Sequence, residues 1–82
     1  MTVRITPEAY EQIAALPVTI HRRVLSVLER LERWPAVSGA KPLRRELKGA
    51  FRVRTGDWRV VIRPQGQIIW VIAVDNRKDV YK

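Results

Sequence analysis

The sequence predicts an α+β fold in which one short strand and a helical hairpin precede three further strands. Three observations carry this reading. Apolar residues recur at helical spacing up to Trp34, the pattern changes to alternation from Ala50 onward, and a Gly56-Asp57 pair separates two alternating runs. At 82 residues, the chain has room for a single domain, spanning 1–82. A chain this short buries only about 60 to 65% of its unfolded surface, so a partner that binds the folded state adds useful stability.

Thr2 to Ile5 is β-branched and reads as the opening strand. Thr6-Pro7-Glu8 is a helix start: a threonine cap, proline at the first helical position and a carboxylate in the first turn. This helix extends to Leu16 and stops at Pro17. From Pro17 or Thr19 to Trp34 a second helix carries Ile20, Val24, Val27, Leu28 and Leu31 on one face and Arg22, Arg23, Glu29, Arg30, Glu32 and Arg33 on the other. Pro35 ends it, and Ala36 to Pro42 form a loop around Gly39. Leu43 to Gly49 has no decisive pattern.

Three strands follow, Ala50 to Thr55, Trp58 to Arg63 and Gln67 to Val74, the last two separated by a Pro64-Gln65-Gly66 turn. Glycine at the first central position of the Gly56-Asp57 loop suits a type II′ turn, and that turn sets the register. Thr55 then faces Trp58, Arg54 faces Arg59, Val53 faces Val60, Arg52 faces Val61 and Phe51 faces Ile62. One face collects Phe51, Val53, Trp58, Val60 and Ile62, and the other Arg52, Arg54, Arg59 and Arg63. The arginine face is expected to be exposed, on the side away from the helices. Trp34, Trp58 and Trp70 read as core, the last because its strand is almost continuously apolar. The lone His21 reads as structural or exposed, since no cysteine or carboxylate cluster accompanies it.

The charge balance narrows the function. Sixteen Lys and Arg against eight Asp and Glu leave +8, and six of those eight net charges fall between Lys41 and Arg63. Such a field attracts polyanions. Lys41, Arg44, Arg45, Lys48 and Arg63, with Lys78 in the tail, are the candidate nucleic-acid contacts. Arg54 opposite Arg59 places like charges side by side, which costs stability unless an anion neutralises them. A phosphate gripped by planar guanidinium forks meets that need. With no cysteine, disulfides, thiolate nucleophiles and cysteine-metal sites are excluded. No metal or other cofactor is expected. The N-terminus lacks the pattern of a secretory leader and no run approaches a membrane span, so the expected compartment is the cytoplasm. Asp75-Asn76 has turn chemistry and is expected to let the tail, with Arg77 and Tyr81, fold over the basic face.

The hairpin Phe51-Arg52-Val53-Arg54-Thr55-Gly56-Asp57-Trp58-Arg59-Val60-Val61, preceded by Leu43 to Gly49 and followed by Arg77-Lys78-Asp79-Val80-Tyr81, resembles the signature of the RelE/ParE superfamily of toxins from type II toxin–antitoxin systems. The resemblance implies a β-α-α-β-β-β fold with an antiparallel sheet against the helical hairpin. It also implies a cognate antitoxin, in a hetero-oligomer, and, for RelE-type members, metal-independent cleavage of messenger RNA on the ribosome. Carried over by position, Arg52, Arg54, Arg59, Arg77 and Tyr81 are the catalytic residues. Arginine does not readily give up a proton, so Arg52 and Arg54 would act through charge and not as general acid or base. Two other functions share the scaffold: ParE-type inhibition of DNA gyrase, which needs no catalysis, and an inactive relative that only binds its antitoxin.

Overall fold

The computed structural model describes residues 1–76. Strand β1 (Thr2–Ile5) leads into helices α1 (Pro7–Ala14) and α2 (Val18–Leu31). Strand β2 (Ala40–Pro42) and a 3₁₀ turn (Arg45–Leu47) follow, then β3 (Phe51–Thr55), β4 (Trp58–Gln65) and β5 (Ile68–Asn76). The predicted helical hairpin and three later strands are all present. The structure adds β2, inside the segment expected to be loop, where Ala40 and Lys41 pair with Val53 and Arg52.

Local chemistry explains the helix ends. Thr6 Oγ1 accepts a hydrogen bond from the Ala9 amide at 3.2 Å, and Pro7 occupies the first turn, where no donor is missed. Beyond Leu31 the helix tightens. The amides of Arg33 and Trp34 reach back three residues, to the carbonyls of Arg30 and Leu31, so the expected extension to Trp34 is present as a tapering turn. Trp34 then packs edge-on against Phe51, ring centroids 4.8 Å apart.

The sheet order is β1-β5-β4-β3-β2. Four strands are antiparallel as expected, whereas β1 lies parallel to β5, with Val3 opposite Ile69 and Arg4 opposite Trp70. The β3–β4 register is the one the turn demands: all five predicted pairs form. Gly56 has φ of +63° and Asp57 lacks a positive φ, the sign pattern of a type II′ turn.

Strand β4 continues through Pro64, which was expected to begin a turn. The turn is Gly66-Gln67, since Gln65 pairs with Ile68. In an antiparallel ladder successive residues direct their amides to alternate neighbours. Gln65 closes the hairpin toward β5, so the Pro64 nitrogen faces the β3 side, and β3 begins only at Phe51, opposite Ile62. The absent N–H therefore breaks no ladder bond.

The core lies between the helices and one face of the sheet. Ala9 and Ile13 of α1 and Val24, Val27 and Leu31 of α2 cover Val53, Val60, Ile62, Ile69, Val71 and Val74, all buried. Each valine, leucine and isoleucine among them contributes about 1.5 to 3 kcal/mol on burial. On β5 the core positions run 69, 71, 74. Val61 opposes Ala73 while Ile62 opposes Val71, so Ile72 is an extra residue, a β-bulge. Close to the bulge, the Val74 amide donates to Gln12 Oε1 of α1 at 2.8 Å.

This bond joins a surface helix residue to the sheet, so Gln12→Ala leaves a part-buried donor unpaired. It should cost about 1 to 3 kcal/mol, whereas Glu11→Ala at the exposed neighbouring position should change stability by less than about 0.5 kcal/mol. Urea denaturation midpoints at constant slope measure both; equal midpoints for the two variants would deny Gln12 this role.

Candidate nucleic-acid interface

Cross-strand partners share a face, so the strand pairing identifies the residues opposite the helices. One row runs Arg4–Trp70–Arg63, a second Lys41–Arg52–Val61–Ala73, and a third Arg54–Arg59–Asp75. Six cations and one carboxylate occupy these rows. The opposite face is apolar and covered by the helices, so all the charge of the central strands is directed to one side.

Arg59 differs from the exposed residue expected. It retains 9% of its accessible surface and is ion-paired with Asp75, Nε to Oδ1 at 2.7 Å and Nη2 to Oδ2 at 3.5 Å. Asp75 and Asn76 close β5 and do not form a turn, because they are paired with Arg59 and Trp58. The bulge at Ile72 brings Asp75 to this face; under strict alternation from Ile69 and Val71 it would point into the core. The anion that the Arg54–Arg59 pair requires is thus supplied internally in part. One carboxylate against two guanidinium groups still leaves the row positive. Asp75 engages the Nε–Nη2 edge of Arg59, fixing its plane and leaving Nη1 as the edge it does not use.

The other predicted residues separate into groups. Arg52 is half-buried and Arg54 exposed, both on β3 and on the expected face. Lys41 is exposed on β2 next to Arg52. Arg63 is half-buried, its Nη1 donating to the Lys48 carbonyl at 3.2 Å, which ties the β2–β3 connector to β4. Arg44, Arg45 and Lys48 are exposed on that connector, Arg45 with φ of +59°. Arg77, Lys78 and Tyr81 lie outside the described residues.

Two of the tryptophan expectations agree with the structure and one does not. Trp34 and Trp58 pack against the core, but Trp70 is half-buried on the helix-free face between Arg4 and Arg63. Sequence reasoning also missed Arg4 and Asp75. Placing Arg4 requires the parallel β1–β5 pairing, and placing Asp75 requires the bulge. His21 is half-buried and lines an apolar groove with Ile5, Tyr10, Ile13, Ala14 and Leu25. Among the described residues no group of three His, Cys, Asp or Glu is arranged for a metal, and no helix is long and apolar enough to cross a membrane.

The family model described as "ParE toxin of type II toxin-antitoxin system, parDE" matches residues 3–81. The chain belongs to this toxin family. Toxin RelG of Mycobacterium tuberculosis (strain ATCC 25618 / H37Rv) is 37% identical over 84 residues, covering 99% of this toxin and 95% of RelG. Among solved structures, the toxin–antitoxin complex RelBE2 of M. tuberculosis includes a chain that superposes with a TM-score of 0.81 at 35% identity, covering 93% of this toxin and 96% of that chain. The isolated E. coli RelE toxin superposes at 0.76 with 14% identity, covering 92% and 82%, a likeness of fold. The toxin shares with these relatives the mixed α+β architecture described above.

The Arg59–Asp75 pair lies between the exposed and fully buried regimes, with side chains 10% and 32% accessible. A double-mutant cycle with Arg59→Ala and Asp75→Ala should give a coupling of about 1 to 2 kcal/mol, above the usual surface pair and below a fully buried one. Additive destabilisation by the two substitutions would show that the contact does not hold in solution.

Proposed function

We propose that this toxin is a metal-independent, ribosome-dependent endoribonuclease that cuts messenger RNA in the cytoplasm. The observation that carries the reading is the helix-free face, where six cations accompany one carboxylate along the β-sheet. Under this reading the ribose 2′-hydroxyl attacks its own 3′-phosphate, the bond to the 5′-oxygen breaks, the leaving oxygen takes a proton from water, and a 2′,3′-cyclic phosphate and a 5′-hydroxyl result. Arg59, with its plane held by Asp75, presents Nη1 to the phosphorane, and Arg52 and Arg54 neutralise the nonbridging oxygens. None of these arginines removes the 2′ proton, a role assigned to Tyr81 on the resemblance of the tail, with Arg77 as a further cation. Positioning and charge stabilisation then supply most of the rate. Lys41, Arg44, Arg45, Lys48, Arg63 and Lys78 add attraction to the phosphate backbone.

Single-turnover cleavage of a message in the ribosomal A site, enzyme in excess, tests the assignment. Tyr81→Phe should lower the rate about 10²- to 10⁴-fold, and Arg59→Ala about 10²- to 10³-fold. Lys41→Ala and Lys48→Ala should weaken association and reduce its salt dependence while preserving the rate at saturation. A Tyr81→Phe variant as fast as the parent removes that residue from proton transfer. A parent that cuts no message but poisons gyrase, with DNA damage in induced cells, replaces the ribonuclease reading with gyrase inhibition.

The relatives solved as complexes with antitoxins, RelBE2 of M. tuberculosis at 35% identity among them, support a cognate antitoxin for this toxin as well. An acidic, amphipathic segment complements the two surfaces available, the cationic sheet face and the apolar groove between α1 and α2. Antitoxin at 100 times its dissociation constant adds about 2.7 kcal/mol, which should raise the melting midpoint of the toxin by about 10 to 20 °C. An unchanged midpoint would rule out binding to the folded toxin.

A further inference from the structure

Trp70 is not accounted for by the fold or by the arginine cluster. It lies on β5 with its side chain on the face the helices leave uncovered, and it is absent from the residues packed on the core. Its lateral neighbours are Arg4 on β1 and Arg63 on β4. Among the described residues no ring or cation stacks on the indole. The half-buried indole keeps part of its apolar area open on a face that carries cations at its rim, beside the half-buried Arg63 and the exposed Arg4. Unpaired nucleobases suit such a surface, since every base has a π-face and its phosphate brings the negative charge that Arg4 and Arg63 attract.

We propose that Trp70, flanked by Arg4 and Arg63, is a base-stacking subsite for a nucleotide of single-stranded RNA next to the cleaved one. The proposal rests on the ribonuclease reading above. Arg63 is four residues from Arg59 along β4, about 13 Å at strand rise. The subsite therefore binds a neighbouring nucleotide and not the scissile phosphate. Arg63 is anchored by the Lys48 carbonyl, which restrains this side of the subsite, while Arg4 on the edge strand is exposed. Trp70 thus contributes affinity: it anchors a nucleotide beside the arginine row, and the arginines act on the phosphate.

The test uses the whole chain on programmed ribosomes, measuring the half-saturating toxin concentration and the maximal single-turnover rate. Trp70→Leu, which keeps apolar bulk but removes the aromatic face, should raise the half-saturating concentration about 5- to 150-fold, the value of one stacked base, with the maximal rate within a few-fold of the parent. Trp70→Phe should recover most of the affinity. A second arm places an abasic nucleotide at each position flanking the cut. One such position should weaken binding to the parent by a similar factor and add nothing in Trp70→Leu, a non-additivity that a purely structural tryptophan does not produce. Circular dichroism and melting confirm that the variants are folded.

The outcomes are separable. If the parent cuts no message, the ribonuclease reading fails and the subsite with it. If the parent cuts and Trp70→Leu has an unchanged half-saturating concentration, or the abasic effect persists in full in Trp70→Leu, the subsite is wrong while the reading stands. If Trp70→Leu loses affinity for the antitoxin and not for the programmed ribosome, Trp70 is a partner contact and the proposal is overturned.

Discussion

The β-bulge at Ile72 governs the rest of the interface. Ile69 and Val71 point into the core, and strict alternation would send Ala73 and Asp75 after them, burying a carboxylate among aliphatic side chains. One extra residue reverses the phase. Val74 fills the core, and Ala73 and Asp75 turn to the helix-free face, where Asp75 meets Arg59. The Val74 amide near this irregularity is satisfied by Gln12 of α1, so a helix stabilises the part of the strand where the ladder is disturbed. The phase reversal costs little because its polar consequences are paired on both sides.

This arrangement gives one sheet two different environments. The apolar face under the helices resists deformation because close-packed side chains have little room to move. That rigidity passes through the strands to the arginines on the other side, whose backbones are the same backbones. Arg59 is further restrained by Asp75, so a cation is aligned before any ligand arrives and less freedom is lost on binding. Arg54, exposed and across the ladder, supplies charge without that restraint. The row combines one oriented and one adaptable guanidinium, as the phosphate contact proposed above requires.

The strand order widens the surface. Because β1 pairs with β5, the last strand is internal and both of its neighbours contribute cations to its outer face, Arg4 from one side and Arg63 from the other. A sheet ending at β5 would have presented Trp70 on an open edge. Here the indole is in the middle of a cationic row, and the face extends across all five strands from β1 to β2.

Much of this was legible in the residues themselves. The helix cap at Thr6, the apolar stripe of α2, the Gly56-Asp57 turn and the register of β3 on β4 all arise from interactions between neighbours in sequence, where periodicity and turn chemistry speak directly. The separation of Val53, Val60 and Ile62 from Arg52, Arg54 and Arg59 followed from that register alone. The remainder depended on partners distant along the chain. β5 is apolar on both sides, so it contains no alternation in which a bulge would show, and Trp70 looked like core for the same reason. Asp75 and Asn76 have turn propensity, but a weak local preference yields when Arg59 offers an ion pair and Trp58 a ladder position. Pro64 signals a break, yet its nitrogen faces the side where β3 has no residue to accept it. The sequence by itself determined the elements, one hairpin and the sign of its outer face; tertiary structure decided which strand lies between which, and hence that Arg59 is paired, Trp70 faces outward and Arg4 joins the cationic surface, because these depend on pairing across the sheet and not on the order of residues along a strand.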